Sequence, residues 1–416
     1  MSSPSSTKPG TSASAPLTGD STAVAAGKVK LPSVVWLMGG ITFIMGTSEF
    51  IVSGLLPEIS GALNISVSSA GMLITAFAIG MMIGAPLMAI ATQRLPRRST
   101  LIAALLVFAA GHIVSALSSN LALAVVGRLA AALGNGTFWA VGAVIATAAA
   151  GPAASTRATG VMVGGITLAN IAGVPLGTAA GQLGGWQTPF WVLAALSAAA
   201  VVVIARRIPA DTTRGDSSLR DEVAALKHPR LWLVYLAIAL IQAGIMGAYS
   251  YVAPLLTDRA HLASSVVPLA MLGFGIGALA GTTTGGRLGD RRPYTTLIPT
   301  AALTTAVLGA ITLWATNSVV AVALVVLLGA AGFAGNPIVV GQVVSIAGAG
   351  RSLPMSLATS AFQVGIATGS WLGGVALTSG LGLKGPSLTG FAFALAALIP
   401  LGLLAASHRE AASAQS

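Results

Sequence analysis

The sequence contains no cysteine, and only 7% of its 416 residues are charged. Without cysteine the chain has no disulfide bond, no thiolate metal site and no cysteine nucleophile. Soluble domains carry about 25% charged residues, so the low charge content excludes a soluble protein. The sequence also lacks a Gly-Lys-Ser/Thr phosphate-binding loop, which indicates that ATP does not drive the protein directly.

Hydrophobic residues make up 55% of the chain, and the mean hydropathy is +0.88. An apolar run of about 20 residues spans a bilayer as a helix, and the runs here lack the alternation of a membrane β-barrel. We therefore predict an all-α membrane protein, and not an enzyme. Its twelve predicted transmembrane helices cover residues 33–56, 69–91, 99–118, 121–149, 158–182, 188–208, 230–256, 264–286, 295–315, 318–347, 353–378 and 386–407.

The positive charges predict the orientation. All but three of the 21 Lys and Arg residues fall in the termini or in connections on one side of the membrane. The exceptions are Arg259 and Lys384 on the other side and Arg128 inside a span. Because short cytoplasmic loops are rich in Lys and Arg, we expect both termini to be cytoplasmic. The net charge of +11 follows from this bias, and no basic patch indicates a nucleic-acid partner.

The chain divides into two halves of similar organisation. We predict a disordered cytoplasmic tail at 1–30, six-helix halves at 31–208 and 230–407, a cytoplasmic linker at 209–229 and a short tail at 408–416. The stretch "ATQRLPRR" follows the second span, and "GGRLGDRRP" follows the eighth. Such an offset of half the chain indicates parallel repeats, which bind substrate between them near the middle of the membrane.

Two opposite charges lie inside the predicted spans. Glu49 is eight residues from the outer end of the first span, and Arg128 is eight residues inside the fourth. Each is therefore about 12 Å deep. Because a charge at this depth is costly and is usually paired or functional, we predict that Glu49 couples transport to protons with Arg128 as its electrostatic partner. A static ion pair between the two helices is the alternative.

Other polar residues of the spans are candidates for substrate binding. Some share helix faces, as Arg128, Asn135 and Trp139 do in the fourth span. Amides with aromatic and thioether groups suit an apolar pocket with a few orienting hydrogen bonds, although hydrogen bonds between helices are an equal alternative. The candidates are Asn135, Trp139, Asn170, Gln242, Met246, Tyr249, Asn336 and Gln363.

The basic loops after the second and eighth spans are candidates for gating. Charge pairs there could hold the cytoplasmic ends of the helices together, and Asp290 is the one acid in these loops. The alternative is that the loops only fix the orientation of the chain. The residues concerned are Arg94, Arg97, Arg98, Asp290, Arg291 and Arg292.

These motifs resemble those of the major facilitator superfamily. The stretch "GRLGDRR" resembles the loop signature of that superfamily, and "GRLAAALGNG" resembles the helix-four motif of its drug:proton antiporters, in which the arginine is Arg128. The stretch "ANIAGVPLG" resembles the helix-five antiporter motif, although Val174 interrupts its Gly-Pro pair. More narrowly, "GTSEF", "GLLPEIS" and "EVAALKHPRLWLVYLAIAL" are similar to the actinobacterial chloramphenicol efflux proteins.

The resemblance implies a multi-pass protein of the bacterial cytoplasmic membrane that exports a small, largely uncharged drug similar to chloramphenicol in exchange for protons. It implies that the proton gradient is the energy source, that no cofactor or metal takes part, and that the protein is a monomer. A sugar or metabolite exporter of the same fold is an alternative, as is a sensor that transports nothing. A single carboxylate within the spans favours a lipophilic substrate, and the connections leave no room for a signalling domain.

Overall fold

The computed structural model describes residues 31–92, 95–151, 154–209, 226–289, 293–348 and 352–413. These residues form a helical bundle that contains no β-strand, with one helix at each of the twelve predicted spans. We number the helices α1 (Ser33–Phe50 and Val52–Leu63), α2 (Val67–Ala91), α3 (Arg97–Ala116), α4 (Leu121–Ala150), α5 (Ser155–Gly184), α6 (Thr188–Arg207), α7 (Pro229–Tyr249), α8 (Val267–Gly289), α9 (Pro293–Trp314), α10 (Ser318–Ala334 and Asn336–Ala347), α11 (Ser352–Thr378) and α12 (Gly385–Ser413).

Length and composition account for these helices as membrane spans. Within the described residues, eleven helices are long and apolar enough to cross a membrane. The twelfth, α11, has 27 residues and is therefore about 40 Å long, but serine, threonine and glycine lower its hydropathy. Three of its polar residues, Ser360, Gln363 and Ser370, contact the first half of the chain, so part of its lower hydropathy reflects a surface that faces protein. The predicted all-α membrane fold is confirmed.

The first helix is longer than predicted. Pro57, which directly follows the predicted span 33–56, lies inside the segment Val52–Leu63. The only interruption is at Ile51, whose amide still donates to the carbonyl of Thr47 at 3.1 Å. The helix therefore continues to Leu63, and Glu49 lies about 21 Å from the outer end of α1. The predicted outer limit of α1 was wrong because a proline removes one donor without ending the helix.

Two of the helices are irregular at mid-length. In α5 a π-helical turn at Ala169–Gly173 precedes Val174 and Pro175. In α10 the helix is interrupted at Gly335, just before Pro337. Local π-helical turns are frequent at functional sites. These two interruptions place Asn170 and Asn336 at comparable levels of the bundle.

Glycines bring α8 and α10 into backbone contact. A Cβ atom at Gly277, Gly281 or Gly285 would come within 2.3 Å of a carbonyl oxygen of α10. Small residues at four-residue spacing let membrane helices approach this closely. The glycines of the "GFGIGALAGTTTGG" segment therefore serve helix packing.

The two halves meet on one side of the bundle and separate on the other. The even-numbered helices end on the face where α1 begins, which we call the inner face because the charge bias predicts that it is cytoplasmic. One hydrophobic core joins the outer parts of α1 and α2, including Leu55 and Ile74, to the helices of the second half. A second core, with Met38 and Phe138 among its members, contains only inner parts of the first half. The halves therefore share a core on the outer side only.

Candidate functional site

Arg128 of α4 is completely buried and joins three helices of the first half. Its Nη1 donates to the carbonyl oxygen and the hydroxyl of Ser48 in α1, at 3.0 and 3.2 Å. Its Nε donates to the carbonyl oxygen of Leu73 in α2 at 3.3 Å, and the guanidinium lies 4.1 Å from the ring centroid of Phe77. Within the described residues, Nη2 has no hydrogen-bond partner. No sequence pattern predicts these carbonyl acceptors.

Glu49 lies next to Ser48 but points in another direction. Successive residues of an α-helix are about 100° apart, so Ser48 faces α4 while Glu49 faces α11. Among the described residues, Glu49 and Arg128 form no ion pair within 4.0 Å. They are close enough for their charges to interact electrostatically. The static ion pair considered from the sequence is therefore wrong, and the role of Arg128 as electrostatic partner stays a prediction.

Gln363 of α11 is the hydrogen-bond partner of Glu49. Its Nε2 donates to Oε1 of Glu49 at 2.7 Å, and the bond joins the two halves of the chain across 314 residues. Gln363 is only 4% exposed, and its Oε1 has no partner among the described residues. Glu49 is half-buried. The predicted role of Gln363 in substrate binding stays a prediction, and its contact with the carboxylate was not predicted from the sequence.

A cavity of about 540 Å³ opens between the halves on the inner side of the Asn170–Gly275 contact. Asn170 and Asn336, two of the predicted amides, both line it. Its remaining walls come from α5, α8 and α10 and carry no charged side chain: Val163, Ile166, Thr167, Gly275, Ala278, Thr282, Phe333, Pro337, Val340 and Gly341. The volume is in the range of pockets that hold drug-sized ligands.

Both threonine hydroxyls of this cavity already donate to carbonyl groups. Thr167 donates to Val163 at 3.0 Å, and Thr282 donates to Phe333 at 3.4 Å. The amides of Asn170 and Asn336 are therefore the main hydrogen-bonding groups that the cavity offers to a ligand. A site with so few polar groups suits a mostly apolar ligand.

An aromatic stack lies behind the cavity. Tyr249 of α7 stacks on Phe274 of α8 at 4.0 Å between ring centroids, and Phe274 meets the edge of Phe333 at 5.8 Å. Tyr249 and Met246 are buried in the core of the second half. Gln242 is 3% exposed and lies against Gly365 of α11. The structure thus places Tyr249 behind the cavity wall and Gln242 against α11, and the predicted contact of Gln242, Met246 and Tyr249 with substrate stays a prediction.

The candidates on α4 lie apart from this cavity. Asn135 is completely buried, and neither atom of its amide has a hydrogen-bond partner in the described residues. Trp139 is half-buried against the inner core of the first half. Both share the α4 face that carries Arg128, as predicted from their spacing.

His112 of α3 is a further buried group near the charged pair. Its ring lies edge-on to Phe108 at 4.3 Å and tilted to Phe190 at 5.7 Å, and it interacts electrostatically with Arg128. Neither ring nitrogen has a hydrogen-bond partner among the described residues. The sequence offered no pattern that connects this histidine to Arg128.

The predicted gating loops are described only in part. Arg97 and Arg98 begin α3, and Arg98 donates to the carbonyl oxygen of Ala205 in α6, which is a contact within the first half. The gating role of both residues stays a prediction. Four of the proposed gating residues lie outside the described residues: Arg94, Asp290, Arg291 and Arg292.

Comparison with known proteins agrees with this architecture. Residues 38–352 match the Major Facilitator Superfamily. The chain is 37% identical over 360 residues to a chloramphenicol resistance protein of Streptomyces lividans, covering 86% of this chain and 92% of that protein. It is 32% identical over 355 residues to the inner membrane transport protein YdhP of Escherichia coli K12, covering 85% and 91%.

A more distant relative and a solved structure complete the comparison. A probable sugar efflux transporter of Mannheimia succiniciproducens is 29% identical over 272 residues, covering 65% of this chain and 68% of that protein. The structure of a bacterial homologue of the human lysosomal transporter Spinster superposes with a TM-score of 0.73 at 16% identity. The superposition covers 90% of this chain and 96% of the Spinster homologue. At this identity it shows that the two proteins share a fold.

Proposed function

Because the chain belongs to the Major Facilitator Superfamily, and is therefore a multi-pass membrane transporter of small molecules, we propose that it exports a largely uncharged amphipathic drug in exchange for protons. We place it in the cytoplasmic membrane of a bacterium, with both termini inside and the proton gradient as its energy source. It acts as a monomer and needs no cofactor.

The observation that carries the proposal is the cavity between the halves. Its walls are mostly apolar and carry no charge, and its free hydrogen-bonding capacity comes mainly from Asn170 and Asn336. A molecule with aromatic or aliphatic surface and a few amide or hydroxyl groups would fit such a site. The chloramphenicol resistance protein at 37% identity supports a substrate of the phenicol type.

Proton coupling is assigned to Glu49. Among the described residues it is the one acidic residue near the middle of the bundle, and it is half-buried, so water can reach it when the halves move. Arg128 is held by Ser48 and Leu73 and contributes a fixed positive charge nearby. An ionisable group at membrane depth usually serves an ion or substrate pathway.

A sugar exporter is the second candidate. The probable sugar efflux transporter among the relatives supports it. A sugar presents many hydroxyl groups, however, and each would need a hydrogen-bond partner when buried. The two amides of the cavity are too few for that, so an amphipathic drug is favoured.

A susceptibility panel in an efflux-deficient bacterium tests the proposal. Cells that express the wild-type chain should tolerate more of a phenicol than cells with an empty vector. Glu49→Gln should abolish this protection, because it removes the titrating group and keeps the volume. Glu58→Gln is the matched control, since Glu58 is another half-buried carboxylate of α1.

Three outcomes would contradict parts of the proposal. Protection against toxic sugar analogues alone would favour the second candidate. Full protection by Glu49→Gln, confirmed by proton-driven transport in everted vesicles, would remove Glu49 from the coupling mechanism. Equal loss in Glu49→Gln and Glu58→Gln would mean that any change to a carboxylate of α1 disrupts the protein.

A further inference from the structure

We infer that Gln363 is a latch: it holds the outer side of the transporter closed when Glu49 is ionised and the substrate site is empty. This inference rests on the proposed proton-coupled export. Its basis is the 2.7 Å hydrogen bond from Nε2 of Gln363 to Oε1 of Glu49, which joins α11 of the second half to α1 of the first. Gln363 thereby acts as a positioning residue for the coupling site.

The chemistry of the bond makes it sensitive to the proton. An ionised carboxylate only accepts hydrogen bonds, and a bond to a charged partner is about twice as strong as a neutral one. Protonation of Glu49 removes the charge, so the bond to Nε2 weakens. The free Oε1 of Gln363 could accept from a protonated acid only after the amide turns over. The ionised form of Glu49 is therefore the one that binds α11 best in this geometry.

The bond belongs to an arrangement in which the outer side is closed. On the outer side of Glu49, Ser68 of α2 donates to the carbonyl oxygen of Gly374 in α11 at 2.8 Å. The hydroxyl of Ser370 lies 3.5 Å from the carbonyl oxygen of Gly71. The amide of Gln182 in α5 donates to Ser264, just before α8, at 3.1 Å. These contacts must separate if the substrate is to leave toward the outside.

Antiport requires such a latch. A carrier that is both empty and deprotonated must not open outward, because it could then pick up a proton outside and return it inward without exporting anything. A contact that is strongest in the empty, deprotonated carrier raises the free energy needed to open that carrier outward. The equilibrium between the outward-closed and outward-open conformations shifts only by such a difference in free energy. Protonation weakens the contact directly. Substrate in the neighbouring space could release it by competing for either group.

Other ionisable groups could produce a pH effect of their own. Arg128 of α4 acts on Glu49 through its charge, and Gln363 is the polar neighbour from α11. His112 of α3 interacts with Arg128 and is enclosed by Phe108 and Phe190. Glu58 of α1 hydrogen-bonds with Gln182, which belongs to the outer contact with Ser264. A pH response that arises at His112 or Glu58 would persist after Glu49→Gln, whereas one that passes through the latch would disappear.

The absence of cysteine allows a direct measurement of opening. Ser370 is buried between α11 and α2, so Ser370→Cys introduces a single reporter at the contact between the halves. Labelling rates are expressed relative to an exposed Gly380→Cys reporter, because the thiolate that reacts with a maleimide becomes scarcer at acid pH. The relative labelling of Ser370→Cys by a membrane-impermeant maleimide from outside should be low at neutral pH and higher at acid pH. Gln363→Met, which keeps the volume, should give fast labelling at both pH values. At neutral pH we expect labelling roughly tenfold faster than in the wild type, which corresponds to the loss of one charge-assisted bond.

Gln363→Glu provides a test that a purely structural role would not pass. Two carboxylates that share a site repel when both are ionised and hold together when one carries a proton. The relative labelling of the reporter should therefore be high at high pH and low at acid pH, which reverses the wild-type profile. The same profile as wild type in both Gln363 variants would overturn the inference, and so would a wild-type pH response that persists in Glu49→Gln.

Proton movement in proteoliposomes separates the latch from the proposed function. Under an imposed pH gradient without substrate, the wild type should leak few protons, and addition of chloramphenicol should start proton movement. Gln363→Met should leak without substrate. A wild type that moves no protons with any compound of the panel contradicts the proposed function, while a tightly coupled Gln363→Met variant contradicts only the latch.

Discussion

Arg128 donates from Nη1 to the carbonyl oxygen of Ser48 at 3.0 Å, and not to the carboxylate of Glu49, the next residue along α1. The guanidinium is thus held by backbone oxygens of α1 and α2 and by the ring of Phe77. Its position does not depend on the protonation of Glu49. A fixed positive charge beside a carboxylate that can lose its proton is a suitable arrangement for proton coupling.

Arg128→Lys should impair transport without abolishing expression. A lysine keeps the charge but has no planar fork, so it cannot reach Ser48 and Leu73 with the same geometry. We expect a loss of roughly tenfold in transport rate, which corresponds to one charged hydrogen bond. Export in everted vesicles, normalised to the amount of folded protein, measures it. Wild-type transport by Arg128→Lys would show that the hydrogen bonds of the guanidinium are dispensable.

The fold could be predicted from the sequence because its signal is local. Each span is a long apolar run, and the charge bias depends only on the composition of the connections. The error at Pro57 has a physical cause: a proline removes one hydrogen bond, and tertiary packing of Leu55, Leu56 and Ile59 holds the helix together beyond it. This packing between segments that are distant in sequence could not be predicted from the local pattern around Pro57.

The site could be predicted only in part, because its contacts are distant in sequence. The depths of Glu49 and Arg128 indicated neighbours, yet one step along α1 decides whether a side chain faces α4 or α11. The bond to Gln363 crosses 314 residues, and no spacing in a single sequence reports it. Asn170 and Asn336 could be predicted as binding candidates because they are amides inside apolar spans. That they line the same cavity depends on how the halves separate.

Asn336→Ala should weaken substrate binding. Asn336 begins the inner segment of α10 and supplies one of the two amides in the cavity. Removing one net hydrogen bond costs about 0.5–1.5 kcal/mol, so the substrate concentration for half-maximal transport should rise by a few-fold while the maximal rate changes little. Leu183→Ala is the control, because Leu183 is 90% exposed and lies outside this cavity. An equal effect of both substitutions would remove Asn336 from the site.

Gly281→Ala should destabilise the protein. A Cβ atom there would lie 1.9 Å from the carbonyl oxygen of Ala330, which is backbone and cannot turn aside. Separating α8 from α10 to admit it is an overpacking change that costs about 1–3 kcal/mol. The thermal unfolding midpoint of the solubilised protein should fall, whereas Gly341→Ala should leave it unchanged, because a Cβ atom at Gly341 would meet nothing within 4 Å. Equal unfolding midpoints for Gly281→Ala and the wild type would show that α8 and α10 can move apart at little cost in stability.

Gly374→Ala should favour opening of the outer side. A Cβ atom at Gly374 in α11 would lie 2.3 Å from the hydroxyl of Tyr251 and 2.9 Å from that of Ser68 in α2, so α2 could no longer pack as closely against α11. We expect labelling of the Ser370→Cys reporter from outside to increase several-fold at neutral pH. Gly380→Ala is the matched control, since nothing lies within 4 Å of a Cβ atom there.

Adding Tyr251→Phe to Gly374→Ala should partly restore closure. The second change removes the hydroxyl that the new methyl group meets first, and the next contact, with Ser68, can relax by rotation of a side chain. Tyr251→Phe alone should have a small effect, because the lost bond to the carbonyl oxygen of Ser370 lies within the second half. If the double variant were labelled as fast as Gly374→Ala alone, the collision with Tyr251 would not be the cause, and the close packing of α2 on α11 would have to be limited by Ser68 or by the backbone itself.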